Sequence, residues 1–332
     1  MKKWLIIALT CILLLLYCAF VLVYRDCMYP PQQETAQAMQ PAATEDAQAT
    51  AATLPTTEPT LPLETVMPAD YQLTGKHAFV YDCDSQTLLF SLGDQQAQIS
   101  PASLTKLFTA YVALQYLDPD ALVTAGEETT WIDPASSIAS VTPGDTLRVE
   151  MLIQGMLMQS GNDAAYAVAV AAGRVIADDP QLSAREALNT FMEEVNRQLA
   201  QHRLAGTHFV TPDGLDAPGH HTTAADMLSI AILATENPTI RHYAGIAKSP
   251  VKFENGKTLD WLNTNFLLHP ESQYYCADAC GLKTGSTSKA GSCLLATFYV
   301  RDHYMIIGVF GCPTYEARFA DALYLYEQYR YK

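Results

Sequence analysis

The stretch from Ile99 to Leu117, ISPASLTKLFTAYVALQYL, constrains this chain more than any other. From Ser103 onward it is almost wholly apolar and carries one charge, Lys106. Such a run, following Pro101 and opening on a serine, predicts a helix buried on nearly every side, with Ser103 in its first turn. A lone ammonium there is costly unless something pairs with it. Residues three apart share a helix face, so the Ser103 hydroxyl and the Lys106 amine are expected side by side at the positive end of the helix dipole. Two readings stay open: a nucleophile beside its base, or a helix cap beside a lysine that snorkels to solvent.

Residues Trp4 to Tyr24 form an uncharged apolar run. At about 1.5 Å per residue it matches the ~30 Å hydrocarbon thickness of a bilayer. Lys2 and Lys3 precede it, which places the N-terminus on the cytoplasmic side, although Arg25 just after it weakens the contrast slightly. A cleaved signal peptide is the competing reading, but the run exceeds a usual signal core and the nearest small-x-small site, Ala36-Gln37-Ala38, lies far downstream. Tyr17 before Cys18 also makes a poor lipoprotein processing site. The expectation is a cytoplasmic stub and uncleaved transmembrane signal-anchor over 1–26, with the rest of the chain extracytoplasmic. Residues 27–68, rich in Pro, Thr, Ala, Gln and Glu, have too few large apolar groups to fold and read as a disordered linker.

The formal charge is −15, with no Lys/Arg cluster, which argues against a nucleic-acid partner. The remaining segment, 69–332, predicts a hairpin over His77–Leu92, then the Ser103 helix, then an irregular stretch over Gly126–Asp145. An apolar helix ending near Gln159 breaks at Ser160-Gly161-Asn162, and an Ala-rich helix runs from Asp163 to Gly173. Further helices are expected over Ser183–His202 and Thr222–Glu236, the latter stopped by Asn237-Pro238. Strands follow at Gly281–Ser286, Ser292–Val300 and Tyr304–Gly311, and a helix over Thr314–Tyr331 closes the chain. Strands at both ends with helices between predict an α+β fold whose ends share one antiparallel sheet.

Two more short patterns matter. Ser160-Gly161-Asn162 is an ordinary helix break, or it presents Ser160 as a proton relay and Asn162 as an amide donor. Lys283-Thr284-Gly285, with Ser286 and Thr287 after it, is an exposed edge strand guarded by a lysine, or a binding strand. In the second case Lys283 supplies positive potential, Thr284 or Thr287 binds a carboxylate, and Gly285 leaves room for a substrate along the strand.

S-x-x-K, S-x-N and K-T-G in this order, each in a suitable element, are a known mark of β-lactamases and penicillin-binding proteins. The chain closely resembles the low-molecular-mass penicillin-binding proteins that are serine-type D-alanyl-D-alanine carboxypeptidases. The match also covers FVYDCDSQTLLFSLGD, THFVTPDGLDAPGHHTTAADMLSIA and GLKTGSTSKAGSCLLATF. The resemblance implies a β-lactamase-like antiparallel sheet flanked by helices, an all-helical lobe, and a site in the cleft between them. It implies that Ser103 attacks a peptidoglycan stem peptide ending in D-Ala-D-Ala, with Lys106 as base and Ser160, Asn162 and Lys283 assisting. Thr284, Gly285, Ser286 and Thr287 would bind substrate, the N–H groups of Ser103 and Ser286 would form the oxyanion hole, and β-lactam antibiotics would acylate Ser103. No cofactor is implied.

Two alternatives remain: a β-lactamase, or a catalytically silent membrane-anchored protein that binds cell wall. The β-lactamase would need a deacylating glutamate, and Glu186-Ala187-Leu188-Asn189 approximates that pattern one residue short, on a helix face that reads as solvated. His220-His221 stand near Asp213, Asp216 and Asp226, yet adjacent histidines diverge and no helical H-x-x-x-H exists, so no metal is expected. A Cys276–Cys280 bridge is left open.

Overall fold

The computed structural model describes residues 70–331. The anchor and linker expected over 1–26 and 27–68 lie outside the described residues. Among the described residues no helix is long and apolar enough to cross a membrane.

Alternating apolar positions make HAFVYD and TLLFSL a hairpin, β1 (His77–Asp82) and β2 (Thr87–Leu92), as expected. At the other end lie β7 (Ala279–Thr287), β8 (Gly291–Val300) and β9 (His303–Cys312). Arg301 and Asp302 take φ of 50° and 65° and form the two-residue turn between β8 and β9. These strands join in one antiparallel sheet of order β2-β1-β9-β8-β7, in which β1 pairs with β9 through His77↔Phe310 and Phe79↔Gly308. First and last strands thus share a sheet, and β7 is one of its two edges. Small hairpins, β3 (Leu122–Thr124) with β4 (Thr146–Arg148) and β5 (Lys248–Lys252) with β6 (Thr258–Leu262), stand apart from it.

The sheet has a core on each face. On one, Val80, Leu294, Ala296, Phe298, Ile307 and Val309 pack under the closing helix α7 (Ala317–Tyr329), through Phe319, Ala322 and Tyr326. On the other, Phe79, Leu295, Ile306 and Phe310 meet the helical part, beginning with Leu104, Leu107 and Phe108. That part comprises α1 (Thr105–Ala113), α2 (Val149–Met158), α3 (Asn162–Ile176), α4 (Ala184–Gln201), α5 (Ala224–Glu236) and α6 (Pro238–Ala244).

Three expectations are corrected, and the open question of a Cys276–Cys280 bridge is answered. A 3-10 turn over Ala102–Leu104 carries Ser103 into α1, which ends at Ala113 and not at Leu117. α3 starts at Asn162 and runs through Gly173 to Ile176; a Cβ on Gly173 would come within 1.9 Å of the Ala187 carbonyl, so this glycine lets α4 approach and is not a cap. Asn237-Pro238 begins a helix as well as ending one, because Asn237 Oδ1 accepts the N–H groups of Thr239 and Ile240 and Pro238 fits the first turn. The described cysteines, Cys276 and Cys280 among them, are all free.

Candidate active site

Gly285 brings the edge of the sheet to the nucleophile. A Cβ there would lie 3.1 Å from both Ala102 Cβ and the Ser103 nitrogen, so β7 packs directly on the turn that carries Ser103. The constraint visible at Gly285 is this contact with the Ser103 turn. From the other side, Gly214 (φ 84°) lets the loop Thr211–Leu215 close on the same turn; a Cβ at Gly214 would meet the Ala102 carbonyl at 1.9 Å.

Lys106 is fully buried, with Nζ 2.8 Å from Ser103 Oγ, 2.7 Å from Asn162 Oδ1 and 2.7 Å from the Asp213 carbonyl. Burial pushes its pKa down to about 8, against the opposing pull of the Asp213 and Asp163 carboxylates. A neutral amine has two hydrogens and one lone pair. The two carbonyl-type oxygens take the hydrogens, which leaves the lone pair for the Ser103 hydroxyl. Ser103 is half-buried and opens on the cleft. The snorkelling alternative fails here, since no part of Lys106 reaches solvent.

Lys283 is 1% exposed and donates to the Thr284 carbonyl at 2.8 Å. Burial, then Lys106, then Arg318, hold its pKa well below the usual lysine range. Arg318, on α7, is also 1% exposed; Nη1 donates to Ser286 Oγ at 3.0 Å and to the Gly285 carbonyl at 3.3 Å, and its plane lies on the Tyr315 ring. Among the described residues no carboxylate lies within ion-pair distance of Lys106, Lys283 or Arg318. Three basic groups thus stand around the serine without an ion-pair partner, and the Asp163 and Asp213 carboxylates act on Lys106 only from beyond that distance.

The cleft above has a volume of about 430 Å³ and is lined by Ser103, Asn162, Ser286 and Thr287, with walls from Asp133–Ser137 and Asp213–Asp216. Lys106, Lys283, Thr284 and Gly285 lie buried beneath it, and the Thr284 hydroxyl is held by Thr264 Oγ1 at 2.6 Å. Thr287 Oγ1 accepts the Ala290 N–H, leaving its own hydrogen free for a ligand. Ser160 is buried with φ 57°, and among the described residues its hydroxyl has no hydrogen-bond partner. The Asp163 carboxylate accepts the N–H groups of Ala139, Val141 and Ala164, and the Asn162 N–H donates to the Ser137 carbonyl, which fixes the Ser136–Val141 wall to the start of α3. Glu186 is exposed, accepts the Ser183 hydroxyl at the first turn of α4, and is not among the residues lining the cleft.

Sequence reading missed Arg318, Asp163, Thr264 and the Asp213 carbonyl. None has a local signal: each reaches the site through tertiary packing, and a backbone carbonyl has no residue signature at all.

Residues 64–314 match the family described as D-alanyl-D-alanine carboxypeptidase. The chain belongs to that family. Among curated D-alanyl-D-alanine carboxypeptidases, DacD of Escherichia coli (strain K12) is 32% identical over 253 residues, covering 70% of this chain and 58% of DacD. DacA of the same strain is 32% identical over 277 residues, covering 79% of this chain and 62% of DacA. The chain therefore spans about three-fifths of the length of these relatives. The crystal structure of the Streptomyces K15 DD-transpeptidase superposes with a TM-score of 0.69 at 26% identity, covering 77% of this chain and 97% of that one. Penicillin-binding protein 5 from Haemophilus influenzae gives 0.64 at 28% identity, covering 79% and 72%. This is the antiparallel sheet with flanking helices expected of the family.

Proposed function

We propose that this chain is a serine-type D-Ala-D-Ala carboxypeptidase that removes the terminal D-alanine from peptidoglycan stem peptides. The observation that carries the reading is Lys106 Nζ, 2.8 Å from Ser103 Oγ, buried and brought down to about 8 in a family of such enzymes. Ser103 gives its proton to Lys106 and attacks the carbonyl carbon of the penultimate D-alanine. The N–H groups of Ser103 and Ser286 stabilise the oxyanion, a donor pair whose individual loss costs about 3–4 kcal/mol in comparable sites. The proton passes by way of Ser160 and Lys283 to the nitrogen of the departing D-alanine, while Asn162 orders Lys106 and the peptide amide. Water then hydrolyses the acyl-enzyme.

The leaving residue ends in a carboxylate. Thr287, Ser286 and the Arg318 guanidinium behind Ser286 are suited to receive it. β-Lactams, as mimics of the D-Ala-D-Ala amide, acylate Ser103 and inhibit. In the whole protein, residues 1–26 hold the enzyme in the bacterial cell membrane and 27–68 tether the catalytic domain, 69–332, outside the cytoplasm. A second reading has support in a Streptomyces relative of this fold that is described as a DD-transpeptidase. Attack on the acyl-enzyme by a peptide amine in place of water would give that outcome.

The test is the intact mass of the purified chain after penicillin, with D-alanine release from diacetyl-Lys-D-Ala-D-Ala assayed in parallel. One stable adduct and D-alanine release, both lost in Ser103→Ala, are expected. Release retained in Ser103→Ala would remove Ser103 as nucleophile. Rapid loss of the antibiotic would point to a β-lactamase, and neither adduct nor release to a silent binding protein.

A further inference from the structure

We propose that His220 and Thr105 are positioning residues that orient and polarise the Ser103 N–H, the oxyanion donor, by holding the carbonyl at the other end of its peptide. The inference rests on the reading of Ser103 as nucleophile.

Ala102, just before the nucleophile, is buried and takes φ 49°, a left-handed conformation that a residue with a Cβ adopts only when its surroundings impose it. Its carbonyl accepts the Thr105 hydroxyl at 2.9 Å. Thr105 has one hydroxyl hydrogen, and this bond uses it. The second partner of Thr105 Oγ1 is His220 Nε2 at 3.1 Å, so the ring nitrogen must be the donor. At the far side of the ring, Nδ1 faces two donors, the N–H groups of Val210 at 3.0 Å and Thr211 at 3.4 Å, so it must be the acceptor. Both ends of the ring therefore demand the same neutral tautomer, with hydrogen on Nε2.

Burial keeps His220 in that state by pushing its pKa down to about 4; Asp213 and Asp216 oppose this, and His208 and His221 add to it. The Phe209 ring stacks on the imidazole with centroids 5.1 Å apart. The result is a single directed chain from Val210 N–H through His220 and Thr105 to the Ala102 carbonyl. That carbonyl and the Ser103 N–H belong to one peptide plane, on opposite sides of it. Fixing the oxygen fixes the direction of the hydrogen, and a carbonyl that accepts a bond makes its own amide a stronger donor. The interaction should matter most when charge develops on the substrate oxygen, and little when substrate merely binds.

The experiment measures acylation by a fluorescent penicillin and D-alanine release in the full chain, with Thr105→Val, Thr105→Ser, His220→Asn and the double variant Thr105→Val/His220→Asn. Asparagine keeps an acceptor where Nδ1 stands but is too short to reach Thr105. Thr105→Val and His220→Asn are expected to slow acylation by about tenfold or more, with half-saturation within about twofold of wild type. Thr105→Ser keeps the hydroxyl and should stay within about threefold, and the double variant should be no slower than Thr105→Val alone. Folded Thr105→Val acylating at the wild-type rate, or lower melting temperatures with unchanged acylation per folded molecule, would overturn the proposal. A wild-type chain that neither labels nor releases D-alanine would instead remove the underlying reading, and this proposal with it.

Discussion

Lys106 illustrates how a residue acquires a function from its surroundings. Its helix hides it from water, and its acceptors are a side-chain amide oxygen and a main-chain carbonyl, so nothing formally negative touches it. With its pKa at about 8, the amine is protonated below that pH and cannot accept the Ser103 proton. Acylation should therefore rise with pH, about tenfold per unit below 8, and level off above it; a profile flat between about pH 6 and pH 9 would refute Lys106 as base. Lys106→Arg, permanently charged, should lose about 10²–10⁴-fold in acylation rate. This much of the site was legible from residues alone, because i,i+3 spacing on a buried helix already couples Ser103 to Lys106. Arg318 and His220 were not. Arg318 sits in an ordinary mixed helix, and His220 stood in a histidine–aspartate group whose metal reading was set aside, leaving it no role beyond a structural loop. The ring turns to Thr105 instead, a contact between positions distant in sequence.

At the level of elements, glycines carry information that hydropathy patterns do not. Gly173 ends the apolar run and so imitates a cap, yet the helix continues through it and α4 passes where its side chain would be. Alanine is the better helix former by about 1 kcal/mol. Even so, Gly173→Ala should destabilise the protein by about 2 kcal/mol or more, because the added methyl would stand 1.9 Å from the Ala187 carbonyl. Urea unfolding measures this, and a stabilised variant would show that the contact between α3 and α4 is soft. Boundaries elsewhere erred for a similar reason. Asn237-Pro238 carries both a stop and a start signal, and the Asn237 cap together with the packing of α6 beside α2 shows that the second is used.

For the molecule as a whole, the order of strands, helices and strands was enough to anticipate one sheet built from both ends, and β1 does lie between β2 and β9. What order could not supply is the fastening. Asp321, wholly buried on α7, accepts the Tyr71 hydroxyl at 2.5 Å, the Thr74 hydroxyl and N–H, and the Gly75 N–H at 2.8 Å, so it ties the entry of the domain to its last helix. Asp321→Ala strands those donors and should cost about 3 kcal/mol or more, read from the urea midpoint; a loss below about 1 kcal/mol would mean that water replaces the carboxylate freely.

The place of β9 has a temporal consequence. This strand lies at the centre of the sheet but is the last of the strands to be synthesised, and the bond from Tyr71 to Asp321 closes a separation of 250 residues. The leading hairpin has no neighbour to complete its sheet until β9 has emerged, so assembly waits on a segment distant in sequence and is limited by long-range closure. A nascent chain halted before β9 would expose an unpaired strand edge along β1, the kind of surface that chaperones cover and aggregates exploit.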